Sequence, residues 1–164
     1  MIVFLDIDGV MVHASPWKVV ENQNDGFYKF SPTAVIGLKN IISNTNASII
    51  LTTSHKNRFT LKEWKKIFRN RGIDVESISK LQTRKIYASR KEEILTWCKR
   101  HKEINNFIII DDDKSLNGLP TEMKEKLILT NSSVGLTQFD AQLAIKMLNK
   151  KQRKIPVVKK SEPV

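Results

Sequence analysis

Short apolar segments alternate with amphipathic segments along most of the chain. The apolar segments that suit buried strands are 2–7, 47–52, 73–78, 107–110 and 127–129. Segment 107–110 is continuously apolar, which is typical of a central strand buried on both faces, whereas 73–78 is a weaker candidate. Strands that alternate with helices in this way predict a parallel sheet covered by helices.

Signals for helix starts fall between the apolar segments. They are Ser31 before Pro32, the capping-box pairs Thr60 with Glu63 and Ser89 with Glu92, and Thr137 with Asp140. Gly72 is expected to end the helix that begins after Thr60. Together these patterns predict an α/β fold, namely an open, mainly parallel, Rossmann-like sheet of about five strands with helices on both faces.

Length and composition indicate one domain. The 164 residues are 40% hydrophobic, which is enough apolar material for a single core. We expect that domain at 1–148, followed by a basic and disordered tail at 149–164. The single cysteine, Cys98, excludes an internal disulfide and suggests a reducing compartment. No apolar run approaches the roughly 20 residues of a membrane span, and the first residues lack a basic signal-peptide segment, so we expect a cytoplasmic protein without a membrane partner.

The charge balance is strongly basic, with a formal net charge of +11. Residues 149–164 hold six basic residues and one acidic residue, so this segment contributes +5 and residues 1–148 carry +6. A surplus of this size favours polyanionic partners such as nucleic acid, although a basic surface can also serve solubility alone.

Candidate chemistry is expected at the carboxyl ends of the strands, where open α/β sheets bind their ligands. The first strand ends in Asp6, Asp8 and Gly9. At this spacing, one carboxylate can serve as a nucleophile or metal ligand, and the second lies two residues further along the chain as another acid. Calcium loops contain a similar pattern, but here the next acids, Glu21 and Asp25, come too late for one.

The fourth strand ends in Asp111, Asp112 and Asp113. Three adjacent acids beside an apolar strand repel one another and lose hydration unless they share a cation. A hard, oxygen-preferring ion such as Mg²⁺ suits them. The alternative is a solvated loop in which the acids cap a helix.

The second strand ends in Thr52 and Thr53, followed by the largely basic segment 55–58. Hydroxyls and cations at this edge can bind phosphate oxygens. A capping turn into the next helix is the alternative, and His55 alone suits a surface or packing role.

Arg90 and Lys91 begin the helix that precedes the acidic strand. Cations at a helix N-terminus oppose the helix dipole, so acids or an anion are expected nearby. Solvated side chains are the alternative.

These four features, in this order, resemble the four motifs of haloacid dehalogenase (HAD) superfamily phosphatases over nearly all of 1–148. The chain is most similar to the small HAD domains of RNA-repair proteins, which show a motif like FLDIDGV, a Ser/Thr cluster with Trp-Arg, an Arg-x-x-Glu-Ile helix start and a late Gly-Leu-Thr. The corresponding segments are 4–10, 52–56, 90–94 and 135–137. Segment 91–94 also resembles the third motif of phage-type polynucleotide kinase-phosphatases. His55 and Lys56 depart from the Trp-Arg pattern.

The resemblance implies a Mg²⁺-dependent phosphatase that acts through an aspartyl-phosphate. Asp6 would be the nucleophile, and Asp8 would protonate the leaving oxygen and then deprotonate the attacking water. Mg²⁺ would be held by Asp6, the backbone carbonyl of Asp8 and Asp111, with Asp112 as a further ligand or an orienting group.

The resemblance also implies groups that bind the phosphoryl oxygens. Either Thr53 or Thr52 supplies the hydroxyl. Lys91 is preferred as the cation, but the third motif is loose, so three other cations stay open: Arg90, Lys85 and Lys80.

No large cap domain is expected, because 9–31 leaves room for only a short flap and 55–90 is filled by a helix and a weak strand. An open site admits the end of a macromolecule, and the positive charge suits a nucleic-acid end with a 3′ or 5′ phosphate. Aromatic residues of the flap either stack on bases or cover the core: Trp17, Phe27, Tyr28 and Phe30. The alternatives are a phosphatase of nucleotides or sugar phosphates, and a non-catalytic module that binds a metal or a partner. The intact Asp6 and Asp8 argue against the module.

Overall fold

A computed structural model of the chain describes residues 1–82 and 86–150. Its strands are β1 (Ile2–Leu5), β2 (Ser48–Leu51), β3 (Ile78–Lys80), β4 (Phe107–Asp111) and β5 (Leu127–Leu129). They form one sheet in the order β3-β2-β1-β4-β5, and all neighbouring strands are parallel. The predicted α/β class with an open, parallel, five-stranded sheet is confirmed.

The α-helices of the described residues are α1 (Pro32–Thr45), α2 (Leu61–Asn70), α3 (Arg90–Arg100), α4 (Thr121–Lys124) and α5 (Gln138–Asn149). Short 3₁₀ helices follow β2 at Ser54–Asn57 and β4 at Lys114–Gly118. The predicted helix starts at Thr60, Ser89 and Thr137 all form capping boxes. Ser31 precedes α1 as predicted, but its side chain makes no capping hydrogen bond.

The third strand lies later than predicted. Segment 73–78 was expected to be the strand, whereas β3 begins only at Ile78. Gly72 has a φ of +75° and ends the α2 turn, as expected, and the backbone N–H of Ile73 then donates to the carbonyl of Phe68 at 3.0 Å. Ile73 and Val75 are buried as loop residues. Their apolar character therefore serves packing beyond the end of α2 and not strand pairing.

Alternate strand residues face opposite sides of the sheet, and each side is covered by helices. Val3 and Leu5 belong to the larger core, to which α1, α2 and α5 contribute. Phe4 belongs to a second core with Ile94 of α3 and Leu116 of the second 3₁₀ helix. The prediction of helices on both faces is confirmed.

The carboxyl ends of β1 and β4 lie side by side at the centre of the sheet. The register pairs Leu5 with Ile110, and the backbone N–H of Asp6 donates to the carbonyl of Ile110 at 3.1 Å. The chain runs outward from β1 through β2 to β3 and then returns to the other side of β1 as β4. Such a reversal opens a crevice between the two strand ends, and ligands bind there in folds of this kind.

No cap domain is present at this edge in the part of the chain that the structure describes. The flap at 9–31 buries Phe27 and Phe30, whereas Tyr28 is half-buried. Trp17 is 91% exposed. Of the flap aromatics, only Trp17 is therefore largely free of the core.

No helix among the described residues is long and apolar enough to cross a membrane. Helix α5 ends at Asn149. Residues 151–164, which make up most of the predicted tail, and Lys85 lie outside the described residues.

A buried ion pair ties the flap to the end of α2. Arg71 donates from Nη1 to Asp25 Oδ2 at 2.6 Å and from Nη2 to Asp25 Oδ1 at 3.1 Å. Its Nε also donates to the carbonyl of Tyr28 at 2.8 Å, and its guanidinium lies 4.8 Å from the ring centroid of Phe30. Hydrogen bonds from Arg71 lower the pKa of Asp25 to about 2. This pair holds the flap against the core.

We expect Arg71→Ala to lower the free energy of unfolding by about 3 kcal/mol, because it removes the charge partner of the nearly buried Asp25 carboxylate, which keeps only hydrogen bonds from the Asn70 amide and the Phe27 backbone N–H. The matched variant Arg69→Ala removes an exposed arginine of the same helix and should change stability by no more than about 0.5 kcal/mol. Urea unfolding of both variants measures the difference. Equal effects would show that the Arg71 pair does not anchor the flap.

Candidate active site

Three carboxylates meet at the carboxyl ends of β1 and β4. Asp6 directly follows β1, Asp111 is the last residue of β4, and Asp112 comes next. One oxygen from each side chain lies within 4.8 Å of the others. Asp6 and Asp111 are buried, with 6% and 0% exposure, and Asp112 is half-buried. The sequence predicted these acids as a group, and the parallel register brings them together.

Arg90 is the cation that lies nearest to this cluster among the described residues. Its Nη1 is 2.5 Å from Asp111 Oδ2 and 3.4 Å from Asp6 Oδ1, and it also donates to Thr52 Oγ1 at 3.1 Å. A cation in the first turn of a helix opposes the helix dipole. The attraction of two buried carboxylates offsets that penalty, and these are the acids expected near the start of α3.

Burial dominates the acidity of the cluster. It raises the pKa of Asp6 and of Asp112, and it raises the pKa of Asp111 to about 6. The Arg90 guanidinium lowers the pKa of Asp6 and Asp111, whereas neighbouring carboxylates raise it further. One guanidinium therefore does not offset the loss of hydration of these acids, and the cluster is suited to a further cation.

Gly9 lets Asp112 approach the backbone of the first strand's loop. Gly9 has a φ of +74°, and a Cβ at this position would lie 2.1 Å from Asp112 Oδ2. The carbonyl of Gly9 accepts a hydrogen bond from Thr130 Oγ1 at 2.8 Å, which ties the same turn to the segment after β5. Any side chain at position 9 would push Asp112 away from the other two acids.

Asp8 lies outside the carboxylate cluster and contacts a different loop. Its Oδ2 is 2.9 Å from Nε2 of His55, in the 3₁₀ helix after β2. The Asp8 side chain is 43% exposed, in contrast to that of Asp6. The sequence suggested a surface or packing role for His55. Its ring does pack, against Phe27 and Tyr28, and it also contacts Asp8, which the sequence did not indicate.

Thr52 and Thr53 are both fully buried at the end of β2. Thr52 Oγ1 accepts from Arg90, and Thr53 Oγ1 accepts the backbone N–H of His55 at 3.3 Å. The side chain of Lys91 extends toward Gly118 instead: its Nζ lies 3.2 Å from the position that a Cβ would take at this glycine. The structure thus brings Arg90 and Thr52 to the acids, while Lys91 lies over the 3₁₀ helix that follows β4.

A second buried ion pair supports the site and was not foreseen from the sequence. Lys56 Nζ is 2.9 Å from each carboxylate oxygen of Glu93, and both side chains are nearly buried. The indole of Trp64 donates to the carbonyl of Lys56 at 3.1 Å. The pair joins the loop after β2 to the helix that carries Arg90. The sequence contains one signal for this pair: Glu93 is an acid directly before Ile94, an apolar residue that is buried in α3.

The carboxylate cluster fits Mg²⁺. Its donors are hard carboxylate oxygens from Asp6, Asp111 and Asp112, and they converge on one point at the edge of the sheet. The carboxylate of Asp112 reaches this point only because Gly9 lacks a side chain. A bound Mg²⁺ supplies positive charge that offsets repulsion among the acids and toward an incoming phosphate.

Comparison with known proteins identifies the class. Residues 2–141 match the family model described as the HAD domain in Swiss Army Knife RNA repair proteins. Because the match spans most of the chain, the protein belongs to this family. No curated protein sequence matches it. Among solved structures, the D,D-heptose 1.7-bisphosphate phosphatase from B. bronchiseptica, complexed with magnesium and phosphate, is 13% identical, with a TM-score of 0.47 over 88% of this chain and 98% of that one.

The chain is thus a HAD domain, and its buried acidic cluster fits Mg²⁺. Three of the acids that the sequence singled out, Asp6, Asp111 and Asp112, lie together at the crevice beside the central strand.

Mg²⁺ should raise the melting temperature, because the acids converge only in the folded chain. At a concentration about a hundredfold above its Kd, one bound ion stabilises by about 2.7 kcal/mol, or roughly 5–10 °C for a domain of this size. Asp111→Asn should abolish the shift, and Asp113→Asn, at the third acid of the run, should leave it in place. A thermal scan of the three proteins with and without Mg²⁺ measures this, and an unchanged shift in Asp111→Asn would contradict the assignment.

The shift should also depend on pH. Without metal, the raised pKa of Asp111, at about 6, means that the folded state binds more protons than the unfolded state between about pH 4 and 6. The stability contributed by Asp111 is therefore greatest below this window and is lost as the pH rises through it. Protons compete with the metal in the same window, so the Mg²⁺-induced shift should be larger at about pH 7.5 than at about pH 5.

Proposed function

We propose that this HAD domain is a Mg²⁺-dependent phosphatase that removes a 3′ or 5′ phosphate from a nucleic-acid end through an aspartyl-phosphate on Asp6. The chemistry is supported chiefly by one observation: Asp6 is only 6% exposed, yet lies in the crevice beside both Arg90 and Asp111. A carboxylate held this way has lost much of its hydration, and it lies beside a cation, Arg90, that attracts a phosphate.

Asp6 begins the reaction in this proposal. One of its oxygens attacks phosphorus, the bond from phosphorus to the leaving oxygen breaks, and Asp8 gives its proton to that oxygen. Water then attacks the phosphorus of the aspartyl-phosphate, and Asp8 takes the proton of this water. The bond between phosphorus and Asp6 breaks, which releases inorganic phosphate and returns both carboxyl groups to their starting states.

Other residues hold the phosphoryl group while this happens. Arg90, which lies beside the nucleophile, binds phosphoryl oxygens together with the hydroxyl of Thr52 or Thr53. Lys91, at the start of the same helix, is the second candidate cation. We assign the Mg²⁺ to the side chains of Asp6, Asp111 and Asp112 and to the backbone carbonyl of Asp8.

Four observations support a nucleic-acid end as the substrate. The family is named for RNA-repair proteins. The described residues form no cap over the crevice, so the end of a long chain can enter it. The net charge of +11 attracts a polyanion, and Trp17 is exposed on the flap, where it can stack on a base.

We also propose that 1–148 forms the phosphatase domain, and that the basic segment 149–164 adds contacts to the phosphates of the nucleic acid. A cytoplasmic location fits the free thiol of Cys98.

Asp6→Asn should abolish phosphatase turnover, by at least about a thousandfold in kcat, because the amide cannot attack phosphorus. The fold should survive, since the neutral side chain is better suited to this buried position than the charged one. The control is Asp113→Asn, which changes an acid outside the cluster in the same way. Release of phosphate from p-nitrophenyl phosphate with Mg²⁺ is the measurement, and normal turnover in Asp6→Asn would overturn the mechanism.

A phosphorylated oligonucleotide should have a higher kcat/KM than the corresponding mononucleotide. The advantage should shrink as salt rises, because phosphate contacts release counterions. Deleting the residues after Asn149 should weaken oligonucleotide binding and leave turnover of an aryl phosphate as it was. Assays with 3′- and 5′-phosphorylated ends distinguish the two positions. Equal rates on mononucleotide and oligonucleotide at low salt would instead favour a phosphatase of small metabolites.

A further inference from the structure

The loop after β2 places an imidazole directly against Asp8. His55 Nε2 lies 2.9 Å from Asp8 Oδ2, and the His55 side chain is only 23% exposed. The two residues are 47 positions apart in the chain, so tertiary packing alone brings them together. The contact engages one carboxylate oxygen of Asp8 and leaves the other available.

The imidazole is itself held in place by aromatic rings. It packs edge-to-face against Phe27, with 5.6 Å between ring centroids, and against Tyr28, at 5.5 Å. Phe27 is fully buried and makes further edge-to-face contacts with Phe59 and Trp64. The ring of His55 is therefore fixed by the core of the protein.

The backbone around His55 is fixed as well. Its own N–H donates to Thr53 Oγ1, and the next residue, Lys56, pairs with Glu93 of α3. Because both its ring and its backbone are already held, His55 loses little further conformational entropy when it binds the carboxylate of Asp8. The Asp8 side chain is 43% exposed, and without His55 it would sample several rotamers.

We propose that His55 is a positioning residue of the phosphatase reaction. It holds Asp8 Oδ2 so that Oδ1 remains as the oxygen that exchanges a proton with the leaving group. His55 touches neither the phosphate nor the metal and acts only through Asp8. The inference rests on the proposed function, specifically on Asp8 as the proton donor.

Proton donation matters most when the leaving oxygen is a poor leaving group. An alkoxide needs a proton as its bond to phosphorus breaks, whereas a nitrophenolate leaves readily without one. Loss of a correctly oriented Asp8 should therefore lower kcat/KM more for an alkyl phosphate than for an aryl phosphate. A general loss of structure would lower both to the same extent.

The experiment compares glycerol phosphate with p-nitrophenyl phosphate, at saturating Mg²⁺, in the full-length protein. The quantity measured is the ratio of the two kcat/KM values, since kcat/KM reports on cleavage of the ester bond. His55→Phe keeps an aromatic ring among Phe27 and Tyr28 but removes both nitrogens. We expect it to lower the ratio about tenfold, less than the roughly hundredfold or more that general acid catalysis contributes, because Asp8 itself is kept.

Two further variants complete the set. His55→Gln keeps an N–H donor at a similar distance from the backbone and should restore much of the ratio. Asn57→Ala, at an exposed position of the same 3₁₀ helix, should leave the ratio as it is in the unchanged protein. Melting temperatures of all variants report on folding.

Asp8→Asn separates failure of the inference from failure of the proposed function. If Asp8→Asn lowers the ratio and His55→Phe does not, the positioning role is wrong and the proposed mechanism stands. If Asp8→Asn itself leaves the ratio unchanged, the proposed role of Asp8 is wrong, and the inference falls with it. If His55→Phe lowers both kcat/KM values equally, or if His55→Gln restores nothing, His55 is only a structural residue.

Discussion

The crowding of carboxylates at the end of the central strand is the constraint on which the rest of the site depends. Asp6, Asp111 and Asp112 bring oxygens within 4.8 Å of one another where little water reaches them. Their mutual repulsion and lost hydration destabilise the folded chain, and burial raises the pKa of each. A divalent cation bound among these acids would relieve this repulsion, so the interaction that costs stability also favours metal binding.

The fold holds these acids together at the ends of two interior strands of the sheet. β1 and β4 are flanked by strands on both sides, and their register aligns Leu5 with Ile110. The acids that follow are therefore set by backbone hydrogen bonds. Arg90 then comes from the start of α3 and neutralises part of the charge. A rigid scaffold with a partly compensated acidic centre is the arrangement that phosphoryl transfer requires.

The loop after β2 links the remaining parts of the site. His55 contacts Asp8, and the neighbouring Lys56 pairs with Glu93 on the helix that carries Arg90. Two consecutive side chains thus connect Asp8 on one side and the helix that carries Arg90 on the other. Phe27 and Trp64 pack against each other, and Phe27 in turn packs against the ring of His55 in this loop. The flap therefore contributes to the site mainly by packing. Of the four flap aromatics that the sequence singled out, only Trp17 is largely exposed.

The sequence by itself determined the features that depend on neighbouring residues. Capping boxes and the stop at Gly72 were predictable because each involves residues only a few positions apart, and the acids at two strand ends were predictable because parallel strands share one edge. Tertiary structure decided the rest. The strand expected at 73–78 became a packing loop, since a buried apolar residue satisfies either arrangement. The direction of Arg90 toward the acids, and the pairing of His55 with Asp8, arise between residues far apart in the chain, where no local pattern records which side chain will meet which.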